Sequence, residues 1–160
     1  MLEKMAQFFN KRLNGYEEHQ LNAIDGAQEF YPFTASLLPV HNKATVLDLG
    51  CGTGLELEYY FKLNPTAKIT GVDLSEDMLK ALKKKFSGKA ITVIHGSYFD
   101  VAFEKNRYDA AVSVESLHHF TKDAKTSLYK KIFQALATDG FFILTDYFAQ
   151  TEKEENFFST

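Results

Sequence analysis

Apolar positions along the chain switch between helical spacing and short unbroken runs, which predicts helices interleaved with buried strands. Leu2, Met5, Ala6, Phe9 and Leu13 recur every three or four residues, giving an amphipathic first helix that Asn14-Gly15 should end. A second helix is expected from Tyr16 to about Phe30, with Ala23, Ile24, Ala27 and Phe30 on one side, before Pro32 breaks or restarts it. Phe33, Leu37 and Leu38 continue the apolar pattern, and Pro39 to Ala44 lead into a first strand beginning at Thr45. Further strands are expected at Lys68 to Asp73, Ala90 to His95, Tyr108 to Val114 and Phe141 to Asp146. Between them fall three helical patterns. The first carries Leu55, Tyr59, Tyr60 and Leu63 and closes at Asn64-Pro65. The second is capped by Ser75-Glu76-Asp77 and turns Met78, Leu79, Leu82 and Phe86 inward. The third runs from Asp123 to Thr138 with Leu128, Ile132, Phe133 and Leu136 on one face, before a turn at Asp139-Gly140.

Five strands alternating with helices predict an α/β fold, a doubly wound and mostly parallel sheet ordered 3-2-1-4-5, with a ligand crevice at the switch point between strands one and four. Residues 1–44 read as an N-terminal helical cap, 45–148 as the ligand-binding α/β domain and 149–160 as a C-terminal tail. The tail, Gln150 to Thr160, looks too short for another helix or a hairpin. The fifth strand would then be an apolar open edge, so a truncated chain, or an edge covered by swapping or by a homodimer partner, is expected.

The stretch Val46 to Gly54 runs from apolar strand through Asp48 to glycines at 50, 52 and 54, and then into a helix at Leu55. Such a turn lets backbone approach a ligand closely and aims helix-start amides at it. A dinucleotide fingerprint needs G-x-G-x-x-G, whereas here the pattern is D-x-G-x-G-x-G, so a nicotinamide dehydrogenase is disfavoured. Asp73 ends the second strand 19 residues beyond Gly54, near the interval at which a βαβ unit places its ribose-binding carboxylate.

The glycine loop, Ile69-Thr70-Gly71-Val72-Asp73, Gly96-Ser97-Tyr98-Phe99-Asp100 and Tyr108 to Phe120 together resemble the motifs of class I S-adenosylmethionine (SAM)-dependent methyltransferases, over about Thr45 to Tyr147. The resemblance implies the Rossmann-like methyltransferase fold, here without the usual final hairpin, and SAM as cofactor. It implies cofactor contacts at Asp48, Gly50, Cys51, Gly52, Asp73, Leu74, Met78, Ser97, Tyr98, Val114 and Glu115. Asp48 would orient the loop, accepting from a backbone or cofactor donor, and Asp73 would hold the ribose. Ser97 stands where the family commonly has an acid bonded to the adenine amino group, so that contact would come from Ser97, from the Tyr98 amide, or from neither. His119 and His118 follow the fourth strand, beside the reacting centre, and are the candidate bases, at most one of them expected to face the methyl group. Tyr16, His19 and Tyr31 on the N-terminal helices are candidate acceptor contacts by placement.

Composition narrows the partners. The charge of -3 and pI near 5.9 come from scattered charges, with Lys83-Lys84-Lys85 the only basic run and better placed to complement a helix end than to track phosphates. No nucleic-acid partner and no membrane association are expected. Cys51 is the only cysteine, which excludes an internal disulfide, and adjacent histidines make poor chelate spacing, so no metal is expected. No run approaches the ~20 apolar residues of a membrane span, and the expected setting is cytoplasmic. These features favour methyl transfer to a small-molecule acceptor. The alternative is a non-catalytic module binding SAM or S-adenosylhomocysteine, and a nucleic-acid or protein acceptor stays open within the same fold.

Overall fold

A computed structural model of the chain describes residues 1–11, 13 and 15–158. Asn14, half of the expected stop to the first helix, lies outside the described residues, as do Ser159 and Thr160 of the tail. The helices α1 (Leu2–Lys11), α2 (Tyr16–Ala23) and α3 (Ala27–Ser36) precede a sheet of β1 (Thr45–Leu49), β2 (Lys68–Asp73), β3 (Ala90–His95), β4 (Tyr108–Val114) and β5 (Leu136–Thr145). Helices α4 (Leu55–Leu63) and α5 (Glu76–Lys85) follow β1 and β2, α6 (Lys122–Ala135) precedes β5, and α7 (Glu152–Phe158) ends the described chain. All strand pairs are parallel and the order is β3-β2-β1-β4-β5, as the alternation of elements predicts. The switch point therefore lies between β1 and β4.

Side chains alternate across the sheet, so each face builds its own core. On one face Val46, Ile69, Ala110 and Val112 pack with α3, α4 and α5 through Ala35, Tyr60, Phe61 and Leu82. On the other, Leu47, Leu49, Val72 and Ala111 meet Leu128, Ile132 and Ala135 of α6. Two polar clamps fix the entry to β1. Tyr60 Oη donates to the Pro39 carbonyl at 2.6 Å, with Asn64 donating to the same oxygen at 3.0 Å, and the Asp109 carboxylate accepts from the Thr45 amide at 2.9 Å.

The structure departs from the sequence expectations in four places. The expected helix from Tyr16 to Phe30 is two helices, because Gly26 takes a left-handed φ of 76° and turns the chain; Pro32 then sits inside α3 without breaking it. In α4 Leu63 is 51% exposed while Leu57 and Phe61 are buried, because α3 lies along α4 and widens its covered side beyond one stripe. In α6 the buried stripe is Leu128, Ile132 and Ala135, which turns Phe133 outward at 79% exposure. That helix stops at Ala135 and Leu136 already pairs with Tyr108. Residues 137–140 bulge out opposite Asp109, with Asp139 at φ 65°, before Phe141 pairs with Ala110. Finally, the tail does supply a helix, α7, which packs near the turn after β4. β5 is an edge of the described sheet.

Candidate functional site

The carboxyl ends of β1, β2 and β4 open into a cleft of about 500 Å³, roofed by Met5 and Phe9 of α1 and by Tyr16 at the start of α2. Its floor is the glycine loop. The Gly50 and Cys51 amides donate to the Val72 carbonyl at 2.8 and 3.2 Å, pinning the loop across the end of β2. Gly50 has a φ of 71°, and a Cβ there would lie 2.3 Å from Ser116 Oγ, so both conformation and space demand glycine. Gly52, also left-handed, presents its amide to Asp73 Oδ2 at 2.8 Å, and the Ser75 amide donates to Oδ1 at 2.8 Å. Asp73 thus has both oxygens anchored by backbone, each with a further lone pair for a ligand at the cleft wall. Burial raises its pKa, and the Ser75 and Gly52 amides oppose that rise.

Leu74 and Met78 line the same side. Tyr98, Val114 and Glu115 line the other, with His119 at the rim. Tyr98 Oη and Ser116 Oγ are hydrogen-bonded at 2.8 Å, and Lys131 of α6 donates to the carbonyls of Tyr98 and Phe99 at 2.9 and 3.2 Å, holding that loop in place. Ser75 Oγ caps α5 by accepting from the Met78 amide and also bonds Asn10 Oδ1, which ties the roof helix α1 to the wall.

Three of the expected cofactor contacts do not face the cleft. Asp48 is fully buried below the loop, and among the described residues no backbone amide donates to either of its oxygens, so it accepts from neither the loop nor the cleft. Its neighbour is the buried Glu56 carboxyl. Burial first, then this second acid, pushes Asp48 well above the ordinary carboxylate range, and burial raises Glu56 as well. Cys51 turns its sulfur into the core over Gly71, where a Cβ would come within 2.8 Å. Ser97 spends its hydroxyl on the Phe99 amide at 3.2 Å and is absent from the lining.

A second cavity, of about 700 Å³, adjoins the first and shares Phe9, Tyr16, Glu115 and His119 with it. His19, Gln20, His118 and Tyr147 complete its polar wall, and Phe8 and Ile24 its apolar one. Of the three expected acceptor contacts, Tyr16 faces both cavities, His19 faces the second, and Tyr31 faces neither. Tyr31 is buried beneath the glycine loop, where Gln20 donates to its hydroxyl at 3.4 Å. The two candidate histidines sit on a 3-10 turn, Leu117–His119, with rings 4.0 Å apart. Only His119 reaches the first cavity, but both line the second. His119 is lowered to about 4, chiefly by burial and then by the neighbouring His118, so it is neutral near pH 7 and a weak base. His118 Nδ1 lies 2.6 Å from Asp146 Oδ1, and Asp146 Oδ2 accepts from the Leu117 and His118 amides at 2.7 and 3.1 Å.

The sequence reading misses Met5, Phe9, Ser116, Gln20 and Tyr147 at these cavities, and Asp146 behind His118. Phe9 was legible only as part of an amphipathic stripe. Asp146 carried a usable signal, since it directly follows a strand at the same sheet edge as Asp73.

The cleft fits the cofactor that the motifs imply. A glycine floor admits close backbone approach, an anchored carboxylate faces the cleft as an acceptor able to take a diol, and the acids Asp73 and Glu115 on its two sides suit a sulfonium and an ammonium group. Among the described residues no Lys or Arg lines either cavity.

The profile of a family described as a methyltransferase domain matches residues 46–140, more than half of the chain. Among curated proteins, the demethylmenaquinone methyltransferase of Lactococcus lactis is 30% identical over 148 residues, taking in 86% of this chain and 56% of the relative. The malonyl-(acyl-carrier protein) O-methyltransferase of Priestia megaterium is 29% identical over 107 residues, covering 67% of this chain and 38% of the relative. A solved SAM-dependent methyltransferase from Mesorhizobium loti superposes with a TM-score of 0.61 at 26% identity, over 71% of this chain and 50% of that one. The chain spans 22% to 56% of the length of the first curated relatives that it matches.

Proposed function

Because the chain belongs to the SAM-dependent class I methyltransferase family, we propose that it transfers a methyl group from SAM to a small-molecule acceptor seated beside the cofactor cleft. The observation that carries this reading is the Gly52 amide on the Asp73 carboxylate, which joins glycine floor and ribose acid into one rigid cradle at the carboxyl edge of the sheet. When bound, the cofactor supplies an electrophilic methyl carbon on a cationic sulfur.

In this reading Asp73 accepts from the ribose hydroxyls, and Leu74 and Met78 pack against the adenosine. Gly50 and Gly52 let the amino-acid end lie on the backbone, near Glu115. Residues 1–44 act as the cap, with Phe9 and Tyr16 excluding water from the reacting centre. Holding nucleophile and methyl carbon in line in such a site supplies roughly 7 to 11 kcal/mol of barrier reduction. Proton removal from a hydroxyl or carbon acid falls to the turn that carries His118 and His119, both of which line the second cavity.

The small-molecule part of the proposal draws on the second cavity beside the cleft and on relatives whose names specify a demethylmenaquinone or a malonyl carrier-protein acceptor. It is tested by incubating the chain with SAM and a panel of small acceptors while following S-adenosylhomocysteine release. Acceptor-dependent release is expected. Binding of S-adenosylhomocysteine without release across the panel would instead favour a non-catalytic binding module.

A further inference from the structure

We infer that the second cavity is an acceptor site for a neutral, planar molecule carrying an ionisable hydroxyl, and that Asp146 positions His118 to take the hydroxyl proton. The inference rests on the methyl-transfer reading of the adjoining cleft and adds the class of acceptor and the path of its proton.

Shape and charge argue for the acceptor class. Phe8, Phe9, Tyr16 and Tyr147 wall the cavity with rings, a lining that sandwiches flat molecules. Glu115 stands in the wall between the two cavities, held there by a strained backbone, φ 55°, with its amide donating to the Thr145 carbonyl at 2.8 Å. Asp146 lies just behind His118 with its side chain 2% exposed. An acceptor that arrives as a carboxylate would meet these two acids, whereas a neutral hydroxyl compound meets no charge penalty and loses its proton only at the point of reaction.

The proton path follows from the ring geometry. Asp146 Oδ1 holds Nδ1 at 2.6 Å, which fixes the imidazole with Nε2 on the opposite side of the ring, and His118 lines the cavity. Asp146 is itself fixed by the two amides of the turn, so the ring cannot swing without giving up its bond to an anchored acid. Among the other groups around His118 are His119, with rings 4.0 Å apart, Tyr147, with ring centroids 5.5 Å apart, and the Glu115 carboxyl, and Tyr16 and His19 line the same cavity. His119 is too weak a base for the task, being buried and lowered to about 4. In the step, the acceptor O–H proton passes to His118 Nε2 and an oxygen lone pair forms the bond to the methyl carbon. The carbon–sulfur bond breaks with its electron pair remaining on sulfur, and the imidazolium then gives its proton to water.

Three probes sharing one ring system test this: 2-naphthol, 2-naphthoate and 2-naphthylmethylamine, each titrated by calorimetry into the protein saturated with S-adenosylhomocysteine, and each assayed for turnover with SAM. Naphthol is expected to bind at least about 10-fold more tightly than naphthoate and to turn over faster than the amine. Asp146→Asn keeps an oxygen for the turn amides but offers Nδ1 a donor in place of an acceptor, which moves the ring proton to Nε2. Its kcat for naphthol should fall about 100-fold or more with KM little changed, and should recover at a pH where naphthol ionises unaided. His118→Asn should show the same recovery. Naphthoate binding as tightly as naphthol, no naphthol binding by a protein that holds S-adenosylhomocysteine, or a loss in Asp146→Asn that persists at high pH would each overturn the inference. Failure to bind S-adenosylhomocysteine at all would overturn the methyl-transfer reading beneath it.

Discussion

The Gly52 amide and the Asp73 carboxylate lie 2.8 Å apart, 21 residues apart in sequence, and this bond joins the loop after β1 to the end of β2. It makes the glycine floor and the Asp73 carboxylate a single part, set before any ligand arrives. Preorganisation of this kind lowers the ordering cost of binding.

Replacing Asp73 by Ala removes the ligand acceptor and also strands the Gly52 and Ser75 amides. We expect SAM affinity to weaken by about 1.5 to 3 kcal/mol, the range for losing charged hydrogen bonds. Calorimetric titration of the folded variant checks this, and unchanged affinity would remove Asp73 from the cofactor site.

Gly50→Ala meets both a left-handed φ and the Ser116 side chain, whose Cβ would lie 2.7 Å away. A loss of about 1 to 3 kcal/mol in unfolding free energy is expected, together with weaker cofactor binding. Urea unfolding of the variant alone and combined with Ser116→Gly separates the two causes, since the second change relieves the contact and leaves the backbone strain.

Asp48 and Glu56 make a buried acid pair whose protons are held more tightly in the folded chain than in the unfolded one. Below an unfolded carboxyl pKa of about 3.9 both states are protonated; as pH rises, only the unfolded chain releases its proton freely, so the pair destabilises the fold. Asp48→Asn should therefore be more stable than the parent at pH 8, by about 1 to 3 kcal/mol, with the advantage shrinking toward pH 4. Urea unfolding at pH 5 and pH 8 measures it, and an advantage that grows as pH falls would contradict the assignment.

His119 has the opposite signature. Its folded pKa of about 4 lies below the unfolded value near 6.5, so between these the unfolded chain binds a proton that the folded chain refuses. Stability should fall as pH drops from about 7 toward 4, and His119→Gln should flatten part of that fall. Parent and variant unfolding curves across this range give the comparison; identical slopes would mean that His119 titrates normally.

The sheet order, the five strands and the cleft-facing Gly50, Gly52 and Asp73 were legible because each follows from local pattern: apolar runs, glycine spacing and a strand-terminal acid. Ser97 and Asp48 were harder, because their hydroxyl and carboxyl groups answer to the Phe99 amide and to Glu56, neighbours that no motif reports. The N-terminal roof was legible only as amphipathic helix. Nothing in a stripe of Met5 and Phe9 tells a helix lying on a ligand cleft from one lying on a core. Gly26 outweighed Pro32 in dividing the second helix, and the dihedral of one glycine is set by tertiary packing as much as by sequence.

The most direct test of the cofactor cradle is a calorimetric titration of this 160-residue chain with S-adenosylhomocysteine, run beside one with NADH. Saturable one-site heat with S-adenosylhomocysteine and none with NADH is the predicted result. A folded sample that gives no heat with S-adenosylhomocysteine, or that takes up NADH in its place, would contradict it.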